Sequence, residues 1–362
     1  MQRSYEIFNE SIRSEATRKT HKFYLNKFLE FSKIKDYDSL VSIDNKLLET
    51  ILIDYVIYLK KKVEAKIITP NAFSKRFDPI ELFMIQNDKI LNFKKIKRMF
   101  PRKQKRRGEL PYTREDIQKF LKSSNSIRTD AVILFFSSTG VRPESLVDLK
   151  LRHYKQMDEN CGTVLIYEND PEEYPVFLTP ESSDSLKKYL KHREENGEKL
   201  NQESPLFRND FREKMSWFKI KPITNIMLVR LMRKILVKSK LQTTLERGEK
   251  RHHKALYGAY RKWFETILNN INNFNPNITE KLMGHRNDLR GTYYNPNLQT
   301  RFNEFKKAIP ELIIDDSIRL EEQNRFKEER IKKLESEKDI RMSNLENVVS
   351  ELTKRLDSKL DS

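Results

Sequence analysis

The segment from Lys94 to Arg107 constrains the fold of this chain more than any other stretch. It carries nine basic side chains among fourteen residues and no acidic one. Such a density of charge is not compatible with burial in a hydrophobic core, and Pro101 and Pro111 discourage a continuous helix through it. The sequence therefore predicts two folded domains joined by a basic linker over residues 94–111.

Residues 1–93 space their apolar side chains as helices do. We predict one helix from Ser14 to about Phe31, a second around residues 48–59, and a third over residues 71–86 that Pro79 breaks or kinks. The apolar positions of the first two helices are Phe23, Tyr24, Phe28, Phe31, Leu48, Leu52, Tyr55, Val56 and Leu59. This pattern indicates a small helical bundle with basic outer faces, either a DNA-binding (core-binding) domain or a helical interaction domain that binds no DNA.

Residues 112–315 mix two periodicities. Thr113 is placed to cap a helix that runs to about Leu121, and the apolar run 130–138 predicts a buried helix that ends at Thr139 and Gly140. Short runs rich in β-branched and aromatic residues then predict a three-stranded antiparallel sheet at 149–154, 163–167 and 174–178, with Pro175 on an edge strand. Further helices are predicted at 183–195, 223–241 and 254–271, and the narrow apolar stripe after them comprises Phe302, Phe305, Ile309 and Leu312.

The fold class predicted from these patterns is mainly α with a small antiparallel β-sheet, in two domains followed by a helical tail. Only 8 of 362 residues are glycine, which also favours helix. The tail, residues 316–362, is highly charged and spaces Met342, Leu345, Val349, Leu352 and Leu356 by 3,4,3,4. That spacing predicts either a short coiled coil or a solvated helix packed on its own chain.

The net charge of the chain indicates what kind of partner it binds. The formal net charge of +18 favours a polyanion, and nucleic acid is the first candidate, although a lysine-rich composition is also typical of proteins from AT-rich genomes. A cationic linker can lie along phosphates, so the predicted DNA contacts are Lys94, Lys95, Lys97, Arg98, Arg102, Lys103, Lys105, Arg106 and Arg107.

Location and cofactors follow from what the sequence lacks. It has neither a run of 18 apolar residues nor a signal peptide, so we expect a cytoplasmic, nucleoid-associated protein without a membrane partner. The single Cys161 excludes an intramolecular disulfide and a cysteine-based zinc site, and we expect no cofactor and no metal.

Four residue types in a basic setting point to chemistry on a phosphodiester. Arg142 follows the Thr-Gly turn, Arg261 lies in a predicted helix, and His285 lies nine residues before Tyr294, which has Tyr293 beside it. Two guanidinium groups can stabilise the charge that develops on phosphate oxygens during attack by a hydroxyl, without any metal. A histidine can donate a hydrogen bond to the same phosphate, and a tyrosine can act as the nucleophile.

The sequence resembles the tyrosine recombinases, or phage-type integrases, and their archaeal branch most of all. The resemblance covers residues 14–312, and the four blocks that carry it lie at 138–146, 179–208 (Thr-Pro-Glu and Ser-Pro-Leu-Phe-Arg), 260–266 and 282–296. It implies catalytic roles for Arg142, Arg261 and His285, with Tyr294 rather than Tyr293 as the nucleophile that forms a 3'-phosphotyrosyl link.

The same resemblance implies a partner and an assembly. The two domains, 1–93 and 112–315, would close on double-stranded DNA as a clamp, and four protomers would assemble on two DNA sites while staying weakly associated or monomeric off DNA. The implied function is site-specific recombination that integrates or excises a mobile element, and the C-terminal segment would dock on a neighbouring protomer.

The chain departs from the family pattern at three places. Gly258 stands where the family has a histidine, so that Tyr257 or His253 would have to substitute, and the turn 168–173 lacks the family's catalytic lysine. Ser145 stands where many members have an acid. Gly258 and the missing lysine favour a degenerate DNA-binding relative. A chromosome-dimer resolvase and a topoisomerase-like activity share the same chemistry and stay open, and the charged tail alone leaves a basic coiled-coil scaffold open.

Overall fold

The computed structural model describes residues 2–104, 110–209, 220–241, 254–285 and 294–360, without the side chains of residues 333 and 351–360. The chain divides into two compact units, residues 1–106 and 107–362. The boundary between the units falls inside the basic segment of residues 94–111.

The first unit is a bundle of helices with an aromatic core. Its helices are α1 (Arg3–Glu10), α2 (Glu15–Ser32), α3 (Tyr37–Ser42), α4 (Asn45–Glu64), α5 (Phe73–Gln86) and α6 (Phe93–Lys97). Asp44 caps α4 by accepting hydrogen bonds from the backbone N–H groups of Lys46 and Leu47. The core lies where α2, α4 and α5 meet, with Phe28 and Phe77 fully buried.

Two details of the first unit differ from the sequence prediction. Phe23 is 55% exposed, whereas Leu25 and Phe28 are the buried positions of α2. Phe28 was predicted on the apolar face and is buried, but Phe23 lies about 140° around the helix from Phe28, at about 100° per residue, and faces away from the core. Pro79 does not end α5, which continues through it from Phe73 to Gln86.

The second unit surrounds a helix that is buried nearly all round. The elements before and within its sheet are α7 (Arg114–Ser123), α8 (Ile127–Thr139), β1 (Tyr154–Gln156), β2 (Gly162–Ile166) and β3 (Tyr174–Leu178). Thr113 and Asp116 cap α7 reciprocally, which confirms the predicted start of that helix. Ten side chains of α8 are buried, and this helix packs mainly against two later helices, Pro180–Glu195 and Gly258–Asn270.

The sheet is three-stranded and antiparallel, in the order β1-β2-β3. Thr163 pairs with Phe177 and Leu165 pairs with Pro175, so β3 is an edge strand, as predicted from its proline. The prediction of a strand over residues 149–154 was wrong, because only Tyr154–Gln156 pairs with β2. Residues 151–153 form a 3-10 turn instead, since the backbone N–H groups of Leu151 and Arg152 donate to the carbonyls of Ser204 and Gln202.

The remaining elements are helical. They are α9 (Pro180–Glu195), α10 (Asn225–Lys238), α11 (Gly258–Asn270), α12 (Pro276–Leu282), α13 (Leu298–Lys306), α14 (Ile309–Leu312) and α15 (Asp316–Leu360). Helix α9 begins earlier than predicted because Thr179 caps it and Pro180 occupies its first position. The predicted apolar stripe of Phe302, Phe305, Ile309 and Leu312 is buried in the core of this unit.

Candidate active site

The turn after α8 delivers Arg142. Gly140 ends the helix in the left-handed conformation, with a φ of +58°. A Cβ atom at this position would lie 2.7 Å from the Cβ of Phe264 on α11, so α11 packs directly against the turn. Glycine meets both requirements, and the chain reverses here to place Arg142 at the start of the 3-10 turn Pro143–Leu146.

Arg261 joins this turn to a second one. Its Nη1 donates to the carbonyl oxygen of Gly140 at 3.0 Å, and its Nη2 donates to the carbonyl oxygen of Met283. Burial lowers the pKa of Arg261, and the positive charge of Arg142 lowers it further, so the two guanidinium groups lie close enough to repel each other. One side chain of α11 therefore holds together the segments that carry Arg142 and His285.

The second turn follows α12 and presents His285. Gly284 has a φ of +59°, and a Cβ there would lie 2.4 Å from ring atoms of Tyr174 on β3. The Nδ1 of His285 is 2.7 Å from a carboxylate oxygen of Glu280, one helical turn earlier. If Nδ1 carries the proton that it shares with Glu280, the other ring nitrogen, Nε2, remains for a ligand.

The buried Nη1 of Arg142 has no hydrogen-bond partner among the residues that the structure describes. Burial raises the pKa of Tyr174, and the positive charges of Arg261 and Arg142, with a side-chain hydrogen bond from Arg261 to the Tyr174 hydroxyl, oppose part of that rise. Buried polar groups of a folded protein are normally satisfied, so the Nη1 of Arg142 marks a place where a ligand with acceptor oxygens fits.

The structure does not bring Tyr294 to the same place. Its hydroxyl accepts a hydrogen bond of 2.9 Å from the side-chain amide of Asn275, which caps the start of α12. Met283, the carbonyl partner of Arg261, follows the other end of that helix. Eight residues at 1.5 Å each separate the two positions by roughly 12 Å along the helix axis.

The other candidates from the sequence fall outside this cluster or outside the described residues. The hydroxyl of Tyr257 donates to the carbonyl of Leu228 at 2.6 Å in a buried contact, so that hydroxyl is already used. His253 and Tyr293 lie outside the described residues, as do Lys105, Arg106 and Arg107.

The first residues of the basic segment belong to helix α6 of the first unit. Ile96 of α6 is fully buried in the first unit. Lys95 pairs with Glu49, and Lys97 pairs with Glu81, both at 2.6 Å. Lys94, Arg98, Arg102 and Lys103 complete the described part of the predicted DNA contacts.

Three residues of the site were not singled out from the sequence. Tyr174, Glu280 and Asn275 each contact a predicted catalytic residue or its turn. A signal was available only for Tyr174, which directly follows the turn that lacks a lysine. The partners of the other two depend on how α12 packs.

Among the described residues, no three or more histidine, cysteine, aspartate or glutamate side chains are grouped so that they could hold a metal ion. None of the described helices has the length and apolar character that crossing a membrane requires.

Comparisons with known proteins give structural likenesses only. No protein-family model and no curated protein sequence matches the chain. The XerH site-specific recombinase bound to difH substrate, in a pre-cleavage complex, is similar at a TM-score of 0.51 and 18% identity, over 80% of this chain and 76% of that one. The integrase of transposon Tn1549, in complex with transposon right end DNA, is similar at a TM-score of 0.52 and 14% identity, over 84% of this chain and 98% of that one.

A third likeness is to a lambda integrase dimer bound to a COC' core site, at a TM-score of 0.50 and 15% identity, over 82% of this chain and 78% of that one. The chain therefore has the fold of the tyrosine recombinases.

Proposed function

We propose that this chain is a tyrosine recombinase that cleaves and rejoins double-stranded DNA through a 3'-phosphotyrosyl intermediate. The observation that carries the proposal is the position of Arg261, whose two donors hold the Arg142 turn and the His285 turn side by side. A site that gathers two guanidinium groups and an imidazole fits a phosphodiester, whose charge rises during attack by a hydroxyl.

Each residue of the cluster has a role in this proposal. The unpartnered Nη1 of Arg142 would donate to a non-bridging phosphate oxygen, as would a donor of Arg261 that is not used by the two carbonyls. As an imidazolium, His285 would donate from Nε2 to the phosphate while its Nδ1–H donates to Glu280. The hydroxyl of Tyr174 accepts from Arg261, and its own proton would supply one more donor.

Tyr294 would supply the nucleophile. Its hydroxyl is bound to Asn275 at the far end of α12 from the Met283 carbonyl, so attack requires it to leave that partner. As the oxygen of Tyr294 bonds to phosphorus, its proton would be lost to solvent; the P–O5' bond would break, and the 5'-oxygen of DNA would take up a proton from solvent and leave as a hydroxyl, so the phosphoester energy would be kept in the enzyme link. The turn 168–173 holds no lysine that could deliver this second proton.

The proposed biological role is integration or excision of a mobile element, in an archaeon and in the cytoplasm at the nucleoid, with assembly of four protomers on two DNA sites. In this proposal residues 1–93 and the linker 94–111 contact DNA, and residues 112–315 form the catalytic domain. Chromosome-dimer resolution uses the same chemistry and is the second candidate.

The test is covalent trapping. The protein is incubated in EDTA with a supercoiled plasmid that carries the DNA flanking its own gene, denatured with detergent, and assayed for DNA that migrates with protein. Adducts that are lost in Tyr294→Phe and kept in Tyr293→Phe would establish the nucleophile. Binding of DNA without an adduct in any form would instead favour a degenerate DNA-binding relative.

A matched pair of arginine variants tests the cluster itself. Arg142→Ala should lower adduct formation by about 100-fold or more while DNA binding persists, because it removes a donor aimed at the developing charge. Arg152→Ala is the control, since Arg152 is half-exposed and pairs with Glu168 and Glu203 at the surface. Equal losses in the two variants would show that general charge, and not the cluster, matters.

A further inference from the structure

The C-terminal helix extends well past the body of the second unit. Arg325 pairs with Glu159 at 3.0 Å, and Phe326 packs against the core, which docks the first turns of α15. From Lys327 to Ser350, every side chain that the structure describes is exposed. The helix continues to Leu360, so the extension of 34 residues measures about 51 Å at 1.5 Å per residue.

One face of this extension is apolar. Ile331, Leu334, Met342 and Leu345 lie along it and are 53%, 48%, 49% and 56% exposed. Lys338 and the later apolar positions of the sequence extend this stripe. Its eight positions are Ile331, Leu334, Lys338, Met342, Leu345, Val349, Leu352 and Leu356. The spacing of 3,4,4,3,4,3,4 is an eleven-residue repeat followed by heptads, which keeps all eight positions on one side of a helix.

We propose that this stripe pairs with the same stripe of a second copy, as a parallel two-stranded coiled coil. The charges beside the stripe select that partner and direction. Arg341 precedes Met342 on one flank and Glu346 follows Leu345 on the other. In a parallel, in-register pair each Arg341 faces Glu346 of the second copy, whereas an antiparallel pair brings Glu346 towards the acidic Asp339.

The charge balance of the extension argues against DNA as the occupant of this face. Residues 327–360 contain nine lysine and arginine residues and eight aspartate and glutamate residues, so the helix is nearly neutral. Lys338 lies inside the stripe, and one polar residue in the seam sets the register at a cost in stability. The pair is therefore weak, and it does not depend on the recombinase chemistry proposed above.

The first test measures the mass of the full-length protein by light scattering, without DNA, over a series of concentrations. The wild type should rise towards twice the monomer mass. Leu345→Glu should weaken the association at least about tenfold, because a charge enters the seam. Ile340→Glu is the matched control, since Ile340 is 61% exposed on the opposite face of the same helix and should leave the association unchanged.

The second test fixes the direction and covers a variant that misfolds. Ile331 lies at the start of the stripe, so the two copies of Ile331 meet in a parallel, in-register pair but lie roughly 38 Å apart along the axis of an antiparallel one. Ile331→Cys should form a disulfide between copies under mild oxidation, seen as a reducible band of double mass, and Ile340→Cys should not. The native Cys161 is fully buried and does not cross-link copies. A wild type that remains monomeric at every concentration would overturn the proposal, and a dimer without the Ile331→Cys cross-link would overturn the parallel arrangement.

Discussion

Replacing Gly284 with alanine should destabilise the second unit and disturb the His285 turn together. An alanine in the left-handed conformation, here with a φ of +59°, costs about 1–2 kcal/mol. Its Cβ would also lie 2.4 Å from ring atoms of Tyr174, and overpacking of that kind costs about 1–3 kcal/mol. The free energy of unfolding should therefore fall by about 2–5 kcal/mol.

Gly197 provides the matched control for this prediction. It also has a positive φ, +86°, but a Cβ there would meet no atom within 4 Å. Gly197→Ala should show the backbone cost alone, which leaves a difference of about 1–3 kcal/mol for the contact with Tyr174. In thermal unfolding a difference of about 2 kcal/mol corresponds to roughly 4–8 °C for a unit of this size.

The assay is thermal unfolding of the full chain, followed by near-ultraviolet circular dichroism, together with trapping of the covalent adduct. Gly284→Ala should melt lower than Gly197→Ala and form less adduct, because the turn that accepts from Arg261 must shift. Midpoints that agree within about 1 °C would refute the packing of Tyr174 on Gly284.

Two further predictions concern carboxylates. Glu198 is buried between Arg193 and Arg208; burial would raise the pKa of Glu198, but hydrogen bonds and charges from the two arginines lower it overall. The contribution of Glu198 to stability is therefore fully present above the ordinary glutamate pKa of about 4.3, and it is lost as the pH falls through the pKa of Glu198 in the folded state. Glu198→Gln should lower the free energy of unfolding by about 3–5 kcal/mol at neutral pH. In urea titrations at several pH values, the variant should also lose less stability than the wild type as the pH falls, and an unchanged pH dependence would contradict this. Glu280→Gln should slow adduct formation about tenfold with DNA binding unchanged, as expected for a partner that orients His285, and a wild-type rate would exclude that role.

Most of the fold was predictable from local pattern. Apolar spacing located the helices, the proline of β3 marked an edge strand, and Thr113 marked the start of α7. The prediction for residues 149–154 failed because the apolar run resembles a strand, while the backbone there bonds instead to Ser204 and Gln202. Phe23 was placed on the wrong side of α2 because an apolar side chain at the edge of a stripe does not tell which side packs.

The sequence by itself determined the residue types, their order and the turns that carry them. Glycine permits a left-handed turn, and the turn predicted after the buried helix occurs at Gly140; Gly284 before His285 also adopts this conformation, although the sequence analysis did not single it out. These are local constraints, because they depend on the conformation of one residue and its neighbours in the chain.

Only the tertiary structure decided which side chains meet. Arg261 reaches carbonyls 121 and 22 residues away in sequence, and Asn275 holds the hydroxyl of Tyr294 nineteen residues on. Such contacts depend on how α11 and α12 pack against the turn after α8, and that packing is set by the buried surface of the whole unit. The candidate residues can be picked from the sequence, but the packing of the core determines that Arg261 bonds to the turns that precede Arg142 and His285, while Tyr294 bonds to Asn275.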